Sequence, residues 1–140
     1  IILKNYIMNW YLKVMQNHYA DFSGRARRKE YWMFTLIYIL IMCMAMVLDN
    51  ILGLQLSVDG GMGYDIDMPY GYIYILTALA HFIPSFAVSV RRLHDCDKSG
   101  WLLLLAIVPF VNLIGGFVIL YFYCKNGTSG ENQFGLDPKA

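Results

Sequence analysis

Between two long runs without a formal charge, residues 70–90 and 101–123, lies Arg91-Arg92-Leu93-His94-Asp95-Cys96-Asp97-Lys98-Ser99-Gly100-Trp101. This segment constrains the chain more than any other. An ionised side chain at a bilayer centre costs roughly 2.5–3.5 kcal/mol or more, so the five charged residues here belong at a water interface. The apolar runs beside it are each about 30–35 Å long as helices, enough to cross a bilayer once. A third uncharged run, residues 31–48, also meets the length of a spanning helix. With 58% hydrophobic and 15% charged residues, a soluble globule of this size is excluded. The expected fold class is therefore an all-α membrane protein: an amphipathic amino-terminal helix plus three transmembrane helices in a single domain, 8–138. Met8 reads as the start and residues 1–7 as upstream sequence. No short apolar core with a small-residue cleavage site precedes the first long run, so no cleaved signal peptide is expected.

From residue 6 to residue 20, Asn9, Lys13, Gln16 and Asn17 recur at helical spacing opposite Met8, Tyr11, Leu12, Met15 and Tyr19. The period suits a helix lying in the headgroup region and equally a helix packed on the rest of the protein. The sequence 21–24 breaks it, and Ser23 is expected to cap a following helix. On that helix Arg25, Arg28, Lys29 and Trp32 share one face, with Arg27 and Glu30 directed elsewhere. Four cations before the first span, none in 49–69, and Arg91, Arg92 and Lys98 in the central loop place the amino end and that loop in the cytoplasm. Segment 49–69 belongs outside. Its Gly60, Gly61 and Gly63 suggest a turn or small hairpin, and Asp49, Asp59, Asp65 and Asp67 read as solvated acids without calcium-loop spacing.

The second span carries a polar stripe of Thr77, His81, Ser85 and Ser89 leading to Arg92, with Pro84 as an expected kink. The third is interrupted by Pro109, Asn112 and Gly115-Gly116. It reads as one kinked span with the tail outside, or as a re-entrant hairpin that returns the tail to the cytoplasm. His81 and Asn112 both fall roughly 15–17 Å from the inner interface at 1.5 Å per residue, and are expected to pair as glue between helices.

No catalytic constellation is recognised. His94 and Asp95 have no further ligand set, phosphate loop or nucleophile elbow beside them, so no enzyme activity, metal or cofactor is expected. Cys43, Cys96 and Cys124 share no ligand spacing and read as free thiols. His94 and Asp95 are expected to pair within a chain-reversing turn that Ser99, Gly100 and Trp101 complete. Arg25, Arg28, Arg91 and Arg92 offer planar forks suited to phosphate. They are expected to bind an anionic lipid headgroup or a partner protein; no nucleic-acid partner is implied. The alternative is a homo-oligomeric transporter or channel that uses the polar stripe as its path.

Three motifs in order complete the reading: Gly24-Arg25-Ala26-Arg27-Arg28-Lys29-Glu30-Tyr31-Trp32; Arg91-Arg92-Leu93-His94-Asp95 with Ser99-Gly100-Trp101; and Gly127, Gly130, Asn132, Phe134, Gly135, Asp137 and Pro138. Together they resemble the domain of unknown function 805 family. The resemblance covers about Met8 to Pro138 and implies a small multi-pass protein of the bacterial inner membrane, without an established activity, substrate or cofactor. Asn112 departs from the small residue expected after the third-run proline.

Overall fold

The computed structural model describes residues 8–61 and 65–139. Residues 1–7, assigned above to upstream sequence, and Gly63 of the expected turn lie outside the described residues. The chain forms two compact units, one of Ile1–Thr35 with Pro84–Ala140 and the other of Leu36–Ile83. Two helices are long and apolar enough to cross a membrane, α1 (Arg28–Leu52) and α2 (Tyr72–Asp95). Each contributes residues to both units. A shorter apolar helix, α3 (Val111–Cys124), follows.

In the Leu36–Ile83 unit, α1 stops where Gly53 adopts a left-handed φ of 66°. The Leu54 amide then reaches back five residues to the Asp49 carbonyl at 2.9 Å, the wrap that glycine-terminated helices use. Strands β1 (Gln55–Asp59) and β2 (Asp65–Gly71) pair antiparallel, Ser57 opposite Asp67 and Val58 opposite Ile66. The all-α expectation is thus corrected by a two-stranded sheet. Alternation in Leu56-Ser57-Val58 and Ile66-Asp67-Met68 explains why this stretch extends. A second correction concerns Asp49, expected to be a solvated acid and found fully buried. Its carboxylate accepts from the amides of Gly71 (2.9 Å), Ile73 (3.0 Å) and Tyr74 (2.9 Å), the unpaired donors at the start of α2. A Cβ on Gly71 would overlap the Leu54 carbonyl, so only glycine lets the turn approach so closely.

In the other unit, a helical stretch over 8–12 continues as a π-helix, Lys13–Asn17, and ends at His18. Val14 is fully buried, and Tyr11 stacks on Phe34 with ring centroids 5.7 Å apart. This decides the open choice: the amphipathic segment packs on the protein. Ser23 does not cap a helix, because α1 begins five residues later. Instead its amide and hydroxyl both donate to Asp21 Oδ1, at 3.0 and 2.6 Å, and Gly24 turns the chain with φ 71°. Arg25 consequently lies before the helix and does not share a helical face with Arg28.

The third apolar run is broken. Ser99 opens a 3-10 helix, Gly100–Ala106, accepting from the Trp101 amide at 3.3 Å. Pro109 and Phe110, at φ 65°, end it before α3 begins. At 1.5 Å per residue, the 14-residue α3 is only about 21 Å long, short of the roughly 30 Å of a hydrocarbon core. A Cβ on Gly115 would sit 2.7 Å from Leu105 Cβ, so this glycine lets the two arms close on each other. Both ends of the run return to one cluster, with Leu93, Ile119 and Tyr123 buried against Leu102, Leu103, Phe122 and Tyr31. Two candidate spans and a shorter, folded-back apolar element are thus present among the described residues.

Candidate functional site

The end of α2 supplies Arg91, Arg92 and Asp95 to a buried ionic lattice. Asp95 is fully buried. Its Oδ1 accepts from Arg25 Nε at 3.1 Å, with Arg25 Nη2 in ion-pair contact at 3.0 Å, while Oδ2 accepts from Arg92 Nη1 at 2.8 Å. Two guanidiniums on one carboxylate leave an excess positive charge, which carbonyl oxygens surround. Arg92 donates to Tyr123 O (3.3 Å), Phe122 O (2.9 Å) and Lys125 O, the exposed carbonyl end of α3 where the helix dipole is negative. Arg25 donates to Thr128 O (2.5 Å), Gly130 O (2.6 Å) and Gly135 O (3.3 Å) of the tail. Desolvated charges survive only when paired and hydrogen-bonded in this way.

The tail is drawn in from its own side as well. Thr128 donates its amide and hydroxyl to the Asp95 carbonyl, at 2.8 and 3.1 Å. Asn132 Nδ2 donates to His94 O at 2.9 Å and to Thr128 Oγ1 at 2.8 Å. A Cβ on Gly127 would overlap the Asp95 carboxylate. The tail residues Thr128 and Asn132 are thereby bonded to the carboxyl end of α2.

His94 does not pair with Asp95. Its Nδ1 faces the Gly24 carbonyl at 3.1 Å, so that nitrogen must carry the proton, and its ring stacks on Phe134 at 3.9 Å and 3°. Arg91 pairs instead with Glu30, Nη1 to Oε1 at 2.7 Å, and Lys13 Nζ takes Oε2 at 2.8 Å. Arg91 Nε and Nη2 remain without a protein partner. Arg28 alone of the four candidate arginines stays exposed, donating to Cys124 O at 3.0 Å. It borders a surface depression of about 230 Å³ with Arg27, Lys29, Asn126 and Lys139. Arg27 is tethered to the Pro138 carbonyl and lies over the Trp10 ring, 5.6 Å from its centroid.

His81 Nδ1 faces Thr77 O at 2.8 Å and its ring stacks on Tyr38 at 5.0 Å, whereas Asn112 is exposed in the first turn of α3. The sequence reading missed Asp49, Glu30, Thr128 and Gly127 as organising residues. For two of them the available signal was a lone acid at each end of the first apolar run, Glu30 before it and Asp49 after it. Among the thiols, burial pushes Cys96 above the ordinary cysteine value, leaving it protonated and inert at neutral pH. Its sulfur lies 3.3 Å from Phe122 O. Among the described residues no group of three or more His, Cys, Asp or Glu could hold a metal.

With this geometry in place, the comparisons are decisive. Residues 19–136 match the family described as "Protein of unknown function (DUF805)". The chain belongs to the DUF805 family. The match spans the Arg25–Asp95–tail lattice, from before Arg25 to beyond Gly135. Two relatives from Escherichia coli (strain K12) are each 48% identical to it over 132 residues. One is named "Inner membrane protein YhaI", with 94% of this chain and 97% of that protein covered. The other is named "Inner membrane protein YhaH", with 94% and 98% covered. No solved structure gives a significant match.

Proposed function

We propose that this DUF805 protein is an inner-membrane protein whose cytoplasmic face binds anionic lipid headgroups through an exposed basic patch. In this reading α1 and α2 span the membrane, the third element is re-entrant, and the amino end, the central loop and the tail lie on the cytoplasmic side. The names of the relatives and the two long apolar helices support the membrane, and the absence of Lys and Arg from 49–69 supports the orientation. The arginines divide the work. Arg25 and Arg92 hold the tail on Asp95, and Arg91 holds Glu30. Arg28 stands at the surface with Lys29 and Lys139 around the 230 Å³ depression, and that is the observation that carries the reading. Basic residues near an anionic leaflet gain about 1 kcal/mol each. A partner protein bearing a phosphate or a carboxylate cluster would use the same patch.

Native mass spectrometry of the purified protein in mild detergent tests this. Retained phosphatidylglycerol or cardiolipin should fall several-fold in Arg28→Ala and Lys29→Ala, with thermal stability unchanged. Lys98→Ala, away from the patch, should retain lipid as the parent does. Equal loss in all three variants would reduce the patch to diffuse surface charge. One observation favours a second reading, an oligomer with a polar path along α2: the Ser85 hydroxyl on that stripe is buried with no partner. The same spectra report copy number, and a closed ring would favour the path.

A further inference from the structure

A second cavity among the described residues is separate from the basic patch. It is a groove of about 420 Å³ walled by Phe22, Phe86, Val90, His94, Trp101 and Phe134, within the roughly 300–1,000 Å³ typical of small-ligand sites. No Lys, Arg, Asp or Glu lines it. Its two polar members, His94 and Ser99, are already engaged, one with Gly24 O and the other with the Trp101 amide.

The groove is built by residues that the ionic lattice does not use. Gly100 lies so close to Val90 that a Cβ there would come within 2.8 Å of Val90 Cγ1, bringing the start of the 3-10 helix down onto α2. Phe134 is the one aromatic residue of the tail, 125–140. A tight turn presents it: Asn132 and Gly135 exchange backbone hydrogen bonds at 3.1 and 3.0 Å, and Asn132 Oδ1 accepts from the Phe134 amide at 2.9 Å. The ring is thereby fixed against His94 at the groove wall.

The mouth indicates the occupant. Trp101 is 78% exposed and Leu104, which also lines the groove, 45% exposed. They begin the apolar hairpin that runs on to Phe110, itself 94% exposed. A hairpin so exposed and so apolar is covered by hydrocarbon in a bilayer, with its tryptophan at the headgroup level. The groove is an inward continuation of that surface, and its uncharged walls suit an uncharged chain. We propose that it holds one acyl chain of a membrane phospholipid, extending from the hairpin surface to the His94–Phe134 stack. A lipid seated there would be held by hydrocarbon burial, independently of headgroup charge, so the proposal does not rest on the basic patch.

The test uses the full chain in phosphatidylethanolamine–phosphatidylglycerol nanodiscs containing a trace of phosphatidylcholine with a mid-chain diazirine. After irradiation, peptide mapping should find adducts on Phe86 and on Phe134, in addition to the exposed Leu40 of α1. Phe134 is the informative position, since a tail residue meets an acyl chain only if the groove admits one. Leu104→Trp, which fills the mouth at a partly exposed site, should cut the Phe134 adduct at least fivefold and leave the Leu40 adduct unchanged. Adducts confined to Leu40 and Phe110 would overturn the proposal, as would Phe134 labelling that Leu104→Trp does not reduce. Benzoylphenylalanine at position 104 in inner-membrane vesicles should gain the mass of one phospholipid. A covalent dimer or a cross-linked second protein would instead assign the groove to a chain partner.

Discussion

Two aspartates, one in each compact unit, are fully buried and are neutralised by opposite means. Asp95 meets two guanidiniums whose remaining donors are spent on eight residues' worth of tail and the carbonyl end of α3. Asp49 meets no cation among its hydrogen-bond partners. Three backbone amides at the start of α2 hold it, at a helix end where the dipole favours a negative charge. Asp49 ties segments close in sequence, the end of α1 and the start of α2 across a short hairpin. Asp95 ties residues as far as 70 positions apart. A local turn can satisfy a carboxylate with amides, whereas gathering three distant segments takes long charged side chains that reach across the gap. The lattice is therefore the more vulnerable of the two.

The largest effect is expected from Asp95→Ala. It strands Arg25 and Arg92 without their counterion, and breaking a buried pair in this way costs about 3–5 kcal/mol. Thermal unfolding in detergent should show a markedly lower midpoint, and limited proteolysis should release the tail. A loss no greater than that of a surface substitution would mean that the carbonyl cage alone carries the two guanidiniums. Gly127→Ala comes next. Forcing a methyl group into the Asp95 carboxylate is an overpacking change of about 1–3 kcal/mol, read by the same two measurements. Asp49→Ala removes a helix-terminus acceptor, typically about 1–2 kcal/mol. Hydrogen exchange should accelerate at the Gly71, Ile73 and Tyr74 amides and leave the Thr128 amide protected, which separates the two aspartates directly.

How much of this was legible depended on how local the cause was. The two long helices follow from uninterrupted apolar runs, and the β1–β2 pair from alternation around Gly60-Gly61. The third run was ambiguous for a physical reason: 23 apolar residues fit one span and a folded-back pair equally well, and close packing of Gly115 on Leu105 depends on geometry that no period encodes. The four candidate arginines were visible as charges, but their partners were not. Arg25 finds Asp95 across 70 residues and Arg91 finds Glu30 across 61. Glu30 was read as facing away from the basic face, which left no hint that it would be buried. Ser23 was misplaced because a capping residue and an Asx-type turn share the same composition.

The smallest expected effect lies in that turn. The Ser23 hydroxyl bonded to Asp21 is the main reason that carboxyl is lowered to about 2, and His18 contributes a further bond. A carboxylate depressed in the folded state stabilises it above the ordinary aspartate value and loses that contribution as pH falls toward 2. Ser23→Ala should raise the Asp21 midpoint toward 3.8 in an NMR titration and leave stability at neutral pH nearly unchanged. An unmoved midpoint would assign the depression to His18 or to the field of Arg91.

The return of the tail to the central loop is the centre of the structure, and cysteine accessibility measures it most directly. In a chain with Cys43, Cys96 and Cys124 replaced by serine, single cysteines are placed at the exposed positions Asp59, Lys98 and Glu131. A membrane-impermeant maleimide added to spheroplasts should label position 59 at once. Positions 98 and 131 should react only after permeabilisation, and together. Labelling of position 131 from outside, with position 98 still protected, would put the tail across the membrane from the loop and contradict the Asp95 lattice.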